Sequence, residues 1–148
     1  MAEPPDTPNT GVLMFVAYRS MEQRIFEAVH AAGFADVTLA QGRFFARIQQ
    51  QGNRLTELAE MAQVTKQTAQ FMVDQLEKHG YVTREPDPTD ARARLVRIAP
   101  RGRAAQDVAQ ATEQAIEREW AHHLGAERMA ALRDAVVRLR EITDPYAG

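Results

Sequence analysis

Leu55 to Gly102 reads LTELAEMAQVTKQTAQFMVDQLEKHGYVTREPDPTDARARLVRIAPRG, and its first half holds two short helical patterns back to back. The first runs from Thr56 to Ala62 and the second from Lys66 to His79, with only Gln63-Val64-Thr65 between them. Two helices joined so tightly have the spacing of a helix-turn-helix. Leu58 and Met61, then Ala69, Met72, Val73 and Leu76, recur at intervals of three and four, which gives each helix one buried face and leaves its polar side open to a partner. Thr56 and Thr65 stand where an N-cap hydroxyl accepts an orphan backbone N–H. Gly80 stands where a left-handed residue stops a helix.

After Gly80 the period changes. Tyr81 to Glu85 and Arg94 to Ile98 have the composition of strands, and Pro86-Asp87-Pro88-Thr89-Asp90-Ala91 between them has the chemistry of a turn. Pro86 and Pro88 lack backbone donors, and Asp87 and Asp90 favour water, so this connection is expected as the long, exposed tip of a hairpin wing.

Asp87-Pro88-Thr89-Asp90-Ala91-Arg92, an apolar strand, and then Ile98-Ala99-Pro100-Arg101-Gly102 resemble the wing signature of the MarR (multiple antibiotic resistance regulator) family. The resemblance covers the whole chain: one helix before the reading portion, another leading into it, the winged motif, and two long helices after it. It implies a mainly α fold with a small β-hairpin wing, built as a single domain over residues 1–148. Within that domain the winged helix-turn-helix spans 38–102, and residues 10–32 and 101–144 supply dimerisation helices. Ala99 departs from the pattern, since Thr is usual at this strand end. Phe71 and Gln75 occupy recognition-helix positions that are often basic in the family.

The function this implies is sequence-specific binding of double-stranded DNA by a transcriptional regulator, a homodimeric repressor on an inverted-repeat operator. Thr65, Lys66, Gln67, Thr68 and Gln70 lie at or near the N-terminal end of the second helix, the part that enters a major groove in helix-turn-helix docking. Gln67 and Gln70 suit base reading, because a glutamine amide pairs with both N6 and N7 of adenine, whereas Lys66 suits phosphate. Arg92 at the wing tip suits a narrow minor groove, where negative potential is enhanced. Asp90 is expected to orient it, by likeness to an Asp-x-Arg feature of the family, through a carboxylate–guanidinium contact. Arg84, Arg94 and Arg97 are assigned to phosphate or to partners within the molecule. The bland alternative is a winged-helix module for protein interaction, and Phe71 and Gln75, which trim positive charge from the reading helix, keep it open.

The flanking helices carry more apolar surface than one small domain needs. Met14, Tyr18, Met21 and Ile25, widened by Phe15, Phe26 and Val29, form a stripe on the first helix. Val108, Thr112, Ile116 and Trp120, then Met129, Leu132, Val136, Leu139 and Ile142, mark two further helices meeting near Leu124-Gly125. Two-fold pairing would bury these stripes and set two reading helices on successive major-groove faces. The resemblance further implies a small aromatic or lipophilic effector where these helices meet the reading portion, with Met14, Tyr18, Arg19, Gly42 and Phe45 as its candidate lining. Phe44 and Arg47 are placed to line it as well. Gly42 falls inside the helical pattern Thr38 to Ile48, where glycine costs about 1 kcal/mol against alanine, so its missing side chain could open a pocket.

The chain has 148 residues, is 45% hydrophobic and carries a formal charge of −2. From Arg84 to Arg103, six arginines face Glu85, Asp87 and Asp90, leaving that segment at +3 and the remainder at −5. Such asymmetry steers one face toward phosphate. The absence of cysteine excludes disulfides and thiolate chemistry. No apolar run approaches the roughly 20 residues of a membrane span, and MAEPPDTPNTG lacks the pattern of a secretory leader, so a cytoplasmic protein is expected. His122-His123 with Glu119 makes a poor metal site, because adjacent histidines diverge on a helix and zinc takes three or four ligands. With no catalytic motif in view, neither enzymatic activity nor a cofactor is expected.

Overall fold

The computed structural model describes Pro4 and residues 6–146; the ends of the expected 1–148 domain lie outside the described residues. The elements run α1 (Thr10–Ala31), α2 (Leu39–Phe45), α3 (Leu55–Met61), α4 (Lys66–Lys78), β1 (Val82–Asp87), β2 (Asp90–Ile98), α5 (Pro100–Leu124) and α6 (Ala126–Thr143). The fold is therefore mainly helical, with one antiparallel hairpin.

Most helix starts follow from local chemistry. Asn9 caps α1 by accepting the Val12 N–H at 3.0 Å. Thr38 and Gln41 form a reciprocal capping box on α2. Thr65 caps α4 through the Thr68 N–H at 3.1 Å, and Gly80, at φ +81°, takes the left-handed turn that ends it. Thr56 does not cap α3: the helix begins one residue earlier, and Arg54 is its N-cap without a side-chain bond. Helix α2 is shorter than the periodicity suggests, ending at Phe45 rather than Ile48. Ala99 leaves the start of α5 without a side-chain cap, and Pro100 in the first turn needs none for its own missing N–H.

The hairpin departs from its reading in the sequence. Strand β1 continues through Pro86 and Asp87 and β2 begins at Asp90, so the connection shrinks to Pro88-Thr89. The register runs Val82↔Ile98 through Pro86↔Arg94 and shifts between Pro86 and Asp87, where the partner of Asp87 is Asp90. Asp87 is not a solvated tip residue but buried. Its carboxylate accepts the Thr89 N–H at 2.8 Å, the Thr89 hydroxyl at 2.7 Å and the Arg54 Nε–H at 2.9 Å. These bonds replace the water a carboxylate would otherwise hold, and they clamp the tip to the start of α3. A third short piece of chain joins the wing where Asn53 exchanges backbone hydrogen bonds with Val96, at 3.1 and 2.8 Å.

The core of the reading head packs Phe44 and Leu58 against Ala69, Val73 and Leu76 of α4 and against Tyr81, Val82 and Val96 of the wing. Tyr81 is 1% exposed and joins three elements. Its N–H donates to the Leu76 carbonyl, and its own carbonyl accepts the Ala99 N–H. The phenol donates to Asp36 in the α1–α2 connection, and Arg101 lies over the ring at 4.4 Å. Burial first, and then the Asp36 carboxylate, raise the phenol above its ordinary range. Gly102 makes this joint possible: a Cβ there would sit inside the Tyr81 carbonyl oxygen and 3.1 Å from both Ile98 Cγ2 and Phe45 Cε2.

Helix α1 lies along α5, where Arg24 forms a two-point ion pair with Glu119 at 2.6 and 2.8 Å, and Ile116 is buried. Glu119 is therefore a structural partner across helices. Glu22, on α1, joins this scaffold to α2. Its carboxylate, 9% exposed, accepts two bonds from Arg43 at 2.8 and 2.7 Å, one from the Tyr18 hydroxyl at 2.7 Å, and one from Arg19. The Arg43 hydrogen bonds are the largest cause holding this carboxyl at about 2, against an ordinary 4.5. Helix α6 buries none of its residues within the chain.

Two outcomes are expected. Gly102→Ala should lower unfolding stability by about 1 to 3 kcal/mol in urea titration, because the obstruction is backbone and cannot swing aside. Unchanged stability would place Tyr81 elsewhere in solution. Because the Glu22 pKa is depressed in the folded chain, its contribution is whole above about pH 4.5 and is lost as the pH falls toward 2. Glu22→Gln should therefore cost about 1 to 3 kcal/mol at pH 6, and the gap from the natural chain should close progressively at pH 4 and pH 3. A gap independent of pH would contradict the ion-pair account.

Candidate nucleic-acid interface

Helix α4 turns Ala69, Val73 and Leu76 into the core and leaves Lys66, Gln67, Gln70, Phe71 and Asp74 exposed. This sorting follows from 3.6 residues per turn and fixes which side chains can meet a partner. Lys66 and Gln67 open the helix, where the unpaired N–H groups already favour an anion. Thr65 and Thr68 are occupied with each other: Thr68 gives its N–H to Thr65 Oγ1, and the Thr65 hydroxyl donates to Thr68 Oγ1 at 2.9 Å. They shape the end of the helix more than they extend from it.

Gln70 is held in one orientation. Its Nε2 donates to Asp74 at 3.1 Å, and Asp74 in turn accepts from Arg84 at 2.6 Å. Arg84 also donates to Glu77 at 2.7 Å. The guanidinium expected to meet phosphate or internal partners thus lies under α4, its single charge shared between two carboxylates beside the exposed face. It also aligns the Gln70 amide, whose Oε1 and second N–H stay free to pair with a base edge.

On the wing, Arg92 and Arg94 are exposed and enter no ion pair among the described residues, whereas Arg97 pairs with Glu85 at 3.3 Å and Arg101 with Asp36 at 3.0 Å. The +3 of the basic segment is thereby concentrated in the arginines that remain unpaired. Asp90 does not grip the Arg92 guanidinium. It accepts the Arg92 backbone N–H at 3.0 Å and faces Arg54 at 3.9 Å, so it shapes the turn from which Arg92 projects. Arg54 and Asn53 escaped the sequence reading. The clamp onto Asp87 spans 33 positions, and no local periodicity signals it.

A cleft of about 690 Å³ lies between α1, α2 and α5. Tyr18, Gly42 and Phe45 line it together with Ile25 and Val29, while Met14 and Arg19 fall outside it: Met14 is exposed on α1, and Arg19 is held by Glu22. Phe44 is core, and Arg47 instead lines a second cleft beside Asp144 and Tyr146. A Cβ at Gly42 would meet only Val37 Cγ1, at 4.0 Å, so the glycine does leave space. Glu22 and Arg43 form an ion pair in the cleft's wall, and Arg103, Asp107 and Glu113 add further charges from α5. The spacing of Glu22 from Tyr18 and Arg19 on one helix could have revealed those contacts, but the one with Arg43 could not be seen along the chain.

The MarR family model matches residues 37–93. Among solved structures, apo MarR from E. coli is 24% identical with a TM-score of 0.68, over 90% of this chain and 98% of that one. A point mutant of S. aureus MepR bound to an oligodeoxyribonucleotide is 17% identical with a TM-score of 0.59, over 91% and 98%. The Mycobacterium tuberculosis MarR family protein Rv2887, in complex with salicylic acid, is 23% identical with a TM-score of 0.64, over 92% and 99%. No curated protein matches by sequence. Residues 37–93 thus match the MarR family model, in a chain that shares the fold of these solved structures.

Proposed function

We propose that this chain is a homodimeric transcriptional repressor that binds an inverted-repeat operator and releases it when a small lipophilic or aromatic ligand enters the α1–α2–α5 cleft. The observation that carries the DNA reading is the pairing of a Thr65-capped helix, with Lys66, Gln67 and Gln70 exposed, and a wing whose Arg92 and Arg94 are left unpaired. Helix and wing supply complementary contacts: base edges from the helix, backbone and groove shape from the wing. The DNA-bound MepR mutant has the same fold, which supports this use of it.

The dimer is supported by apolar surface that the monomer does not cover. Leu13, Met14, Phe15 and Val16 on α1 are exposed, Phe15 at 61%, as are Leu132, Val136, Val137 and Ile142 on α6, the last at 85%. An apolar surface this large marks an association site, and a second copy would bury it. The ligand reading rests on the cleft. Glu22 already neutralises Arg43, and an entering molecule meets the apolar wall of Ile25, Val29 and Phe45 together with Arg103 at the α5 side.

The full chain should bind a selected duplex as a dimer, with half-site centres about 34 to 36 Å apart. Arg92→Ala should weaken binding to every tight site and reduce the salt slope by about 1, whereas Gln67→Ala should cost about 1 to 3 kcal/mol at particular base pairs only. Fluorescence anisotropy at several salt concentrations measures both, and an Arg92→Ala chain with unchanged affinity and slope would refute the wing assignment. Gly42→Leu should fill the space beside Val37, leaving DNA affinity intact while a releasing compound loses its effect. The same release by that compound from both chains would put the ligand elsewhere.

A further inference from the structure

Phe71 is 62% exposed, an unusual position for a large apolar side chain with a core beneath it. At 100° per residue it lies about 200° around α4 from both Ala69 and Val73, so it cannot turn into the core without rotating the whole helix. It lines neither cleft, and it is not part of the apolar surface on α1 and α6. Its neighbours are the groups described above: Gln67 one turn before it, Gln70 beside it, and Asp74 one turn after. Asp74 and Glu77 share the single positive charge of Arg84, and the lysines stand at the two ends of the helix, Lys66 and Lys78. The middle of the exposed face is consequently an apolar ring between glutamines, without a positive charge that would draw it to phosphate.

We propose that Phe71 reads thymine, its ring packing on the 5-methyl group of one thymine in each half-site. In the major groove the thymine methyl is the apolar group on an otherwise polar edge, and it is the feature that a phenylalanine can recognise. Gln67 and Gln70 flank the ring, so adjoining base pairs are read by hydrogen bonds and this one by contact. The assignment rests on the DNA reading above and gives it a base preference: a thymine at the centre of each contacted half-site, where a basic residue would have favoured guanine.

The test is a double-mutant cycle between protein and DNA. A duplex is selected from a random pool by the full natural chain, and each half-site thymine is replaced in turn by deoxyuridine, which removes only the methyl group. One symmetric replacement should weaken the natural chain about fourfold per half-site, the worth of burying one methyl-sized group. Phe71→Ala should lose affinity by at least as much and be indifferent to that replacement, while Phe71→Leu should keep part of both the affinity and the sensitivity. Thermal unfolding of Phe71→Ala should match that of the natural chain, since the ring adds nothing to the core. If the natural chain selects and binds a duplex but Phe71→Ala binds it equally well, or feels every deoxyuridine equally, the thymine assignment is overturned and the DNA reading stands. If the natural chain selects no duplex, both are overturned, and the exposed ring belongs to a protein contact.

Discussion

The position of the reading head depends on how closely the backbone at Gly102 approaches the carbonyl of Tyr81. Tyr81 ends α4, opens the wing, accepts a hydrogen bond from the start of α5 and donates one to the α1–α2 connection. One buried residue therefore sets the angles among the recognition helix, the wing and the long helix leading away from them. Any side chain at 102 would push α5 off this joint. Because the contact is made by backbone atoms in a packed interior, it has little compliance, and a rotation of α5 must carry the head with it.

Electrostatics divides the arginines into two populations. Arg43, Arg54, Arg84 and Arg101 answer carboxylates at Glu22, Asp87, Asp74 with Glu77, and Asp36, and each pair joins elements distant in sequence or supports the reading helix. Arg92 and Arg94 have no such partner among the described residues. The exposed pairs at Arg84 and Arg101 contribute little stability, whereas Glu22 and Asp87 are buried and need their partners; in all four the guanidinium is planar and directional and holds a carboxylate in one place. The unpaired group keeps its charge free, as the proposed contact with phosphate requires. A chain of net charge −2 can in this way present a positive edge.

The elements were legible in the sequence wherever their cause was local. Helix periods, the Thr65 cap, the Gly80 stop and the break at Leu124-Gly125 each depend on residues within a turn of one another. The errors were equally physical. Asp87 looked like a solvated turn residue because its partner, Arg54, lies on another element; with that bond made, the strand extends and the tip shortens. Arg84 could not be separated from Arg94 by composition, since what separates them is that Asp74 and Glu77 stand across from the first. Glu22 has the look of an ordinary helical glutamate, and its partner Arg43 lies 21 positions away on another helix. Met14 and Arg19 shared the α1 pattern with Tyr18, but helix rotation leaves Met14 exposed and sends Arg19 to Glu22.

The same geometry explains how a ligand could be felt at the DNA surface. Tyr81, Ile98 and Leu76 contribute to the wall of the α1–α2–α5 cleft, so the residues that orient the head are among those an occupant would touch. A ligand shifts an equilibrium only through its differential affinity for two states, and here the second state must differ at that wall. The unyielding contact at Gly102 makes a rigid-body rotation of the head with α5 less costly than internal repacking. Within a dimer, such a rotation changes the distance between two recognition helices whose targets are fixed on one duplex. Coupling of about 1 to 3 kcal/mol is ordinary for linked sites, and in the proposed dimer it would act on both heads at once, so that a modest preference of the ligand for one state would suffice to release the proposed operator.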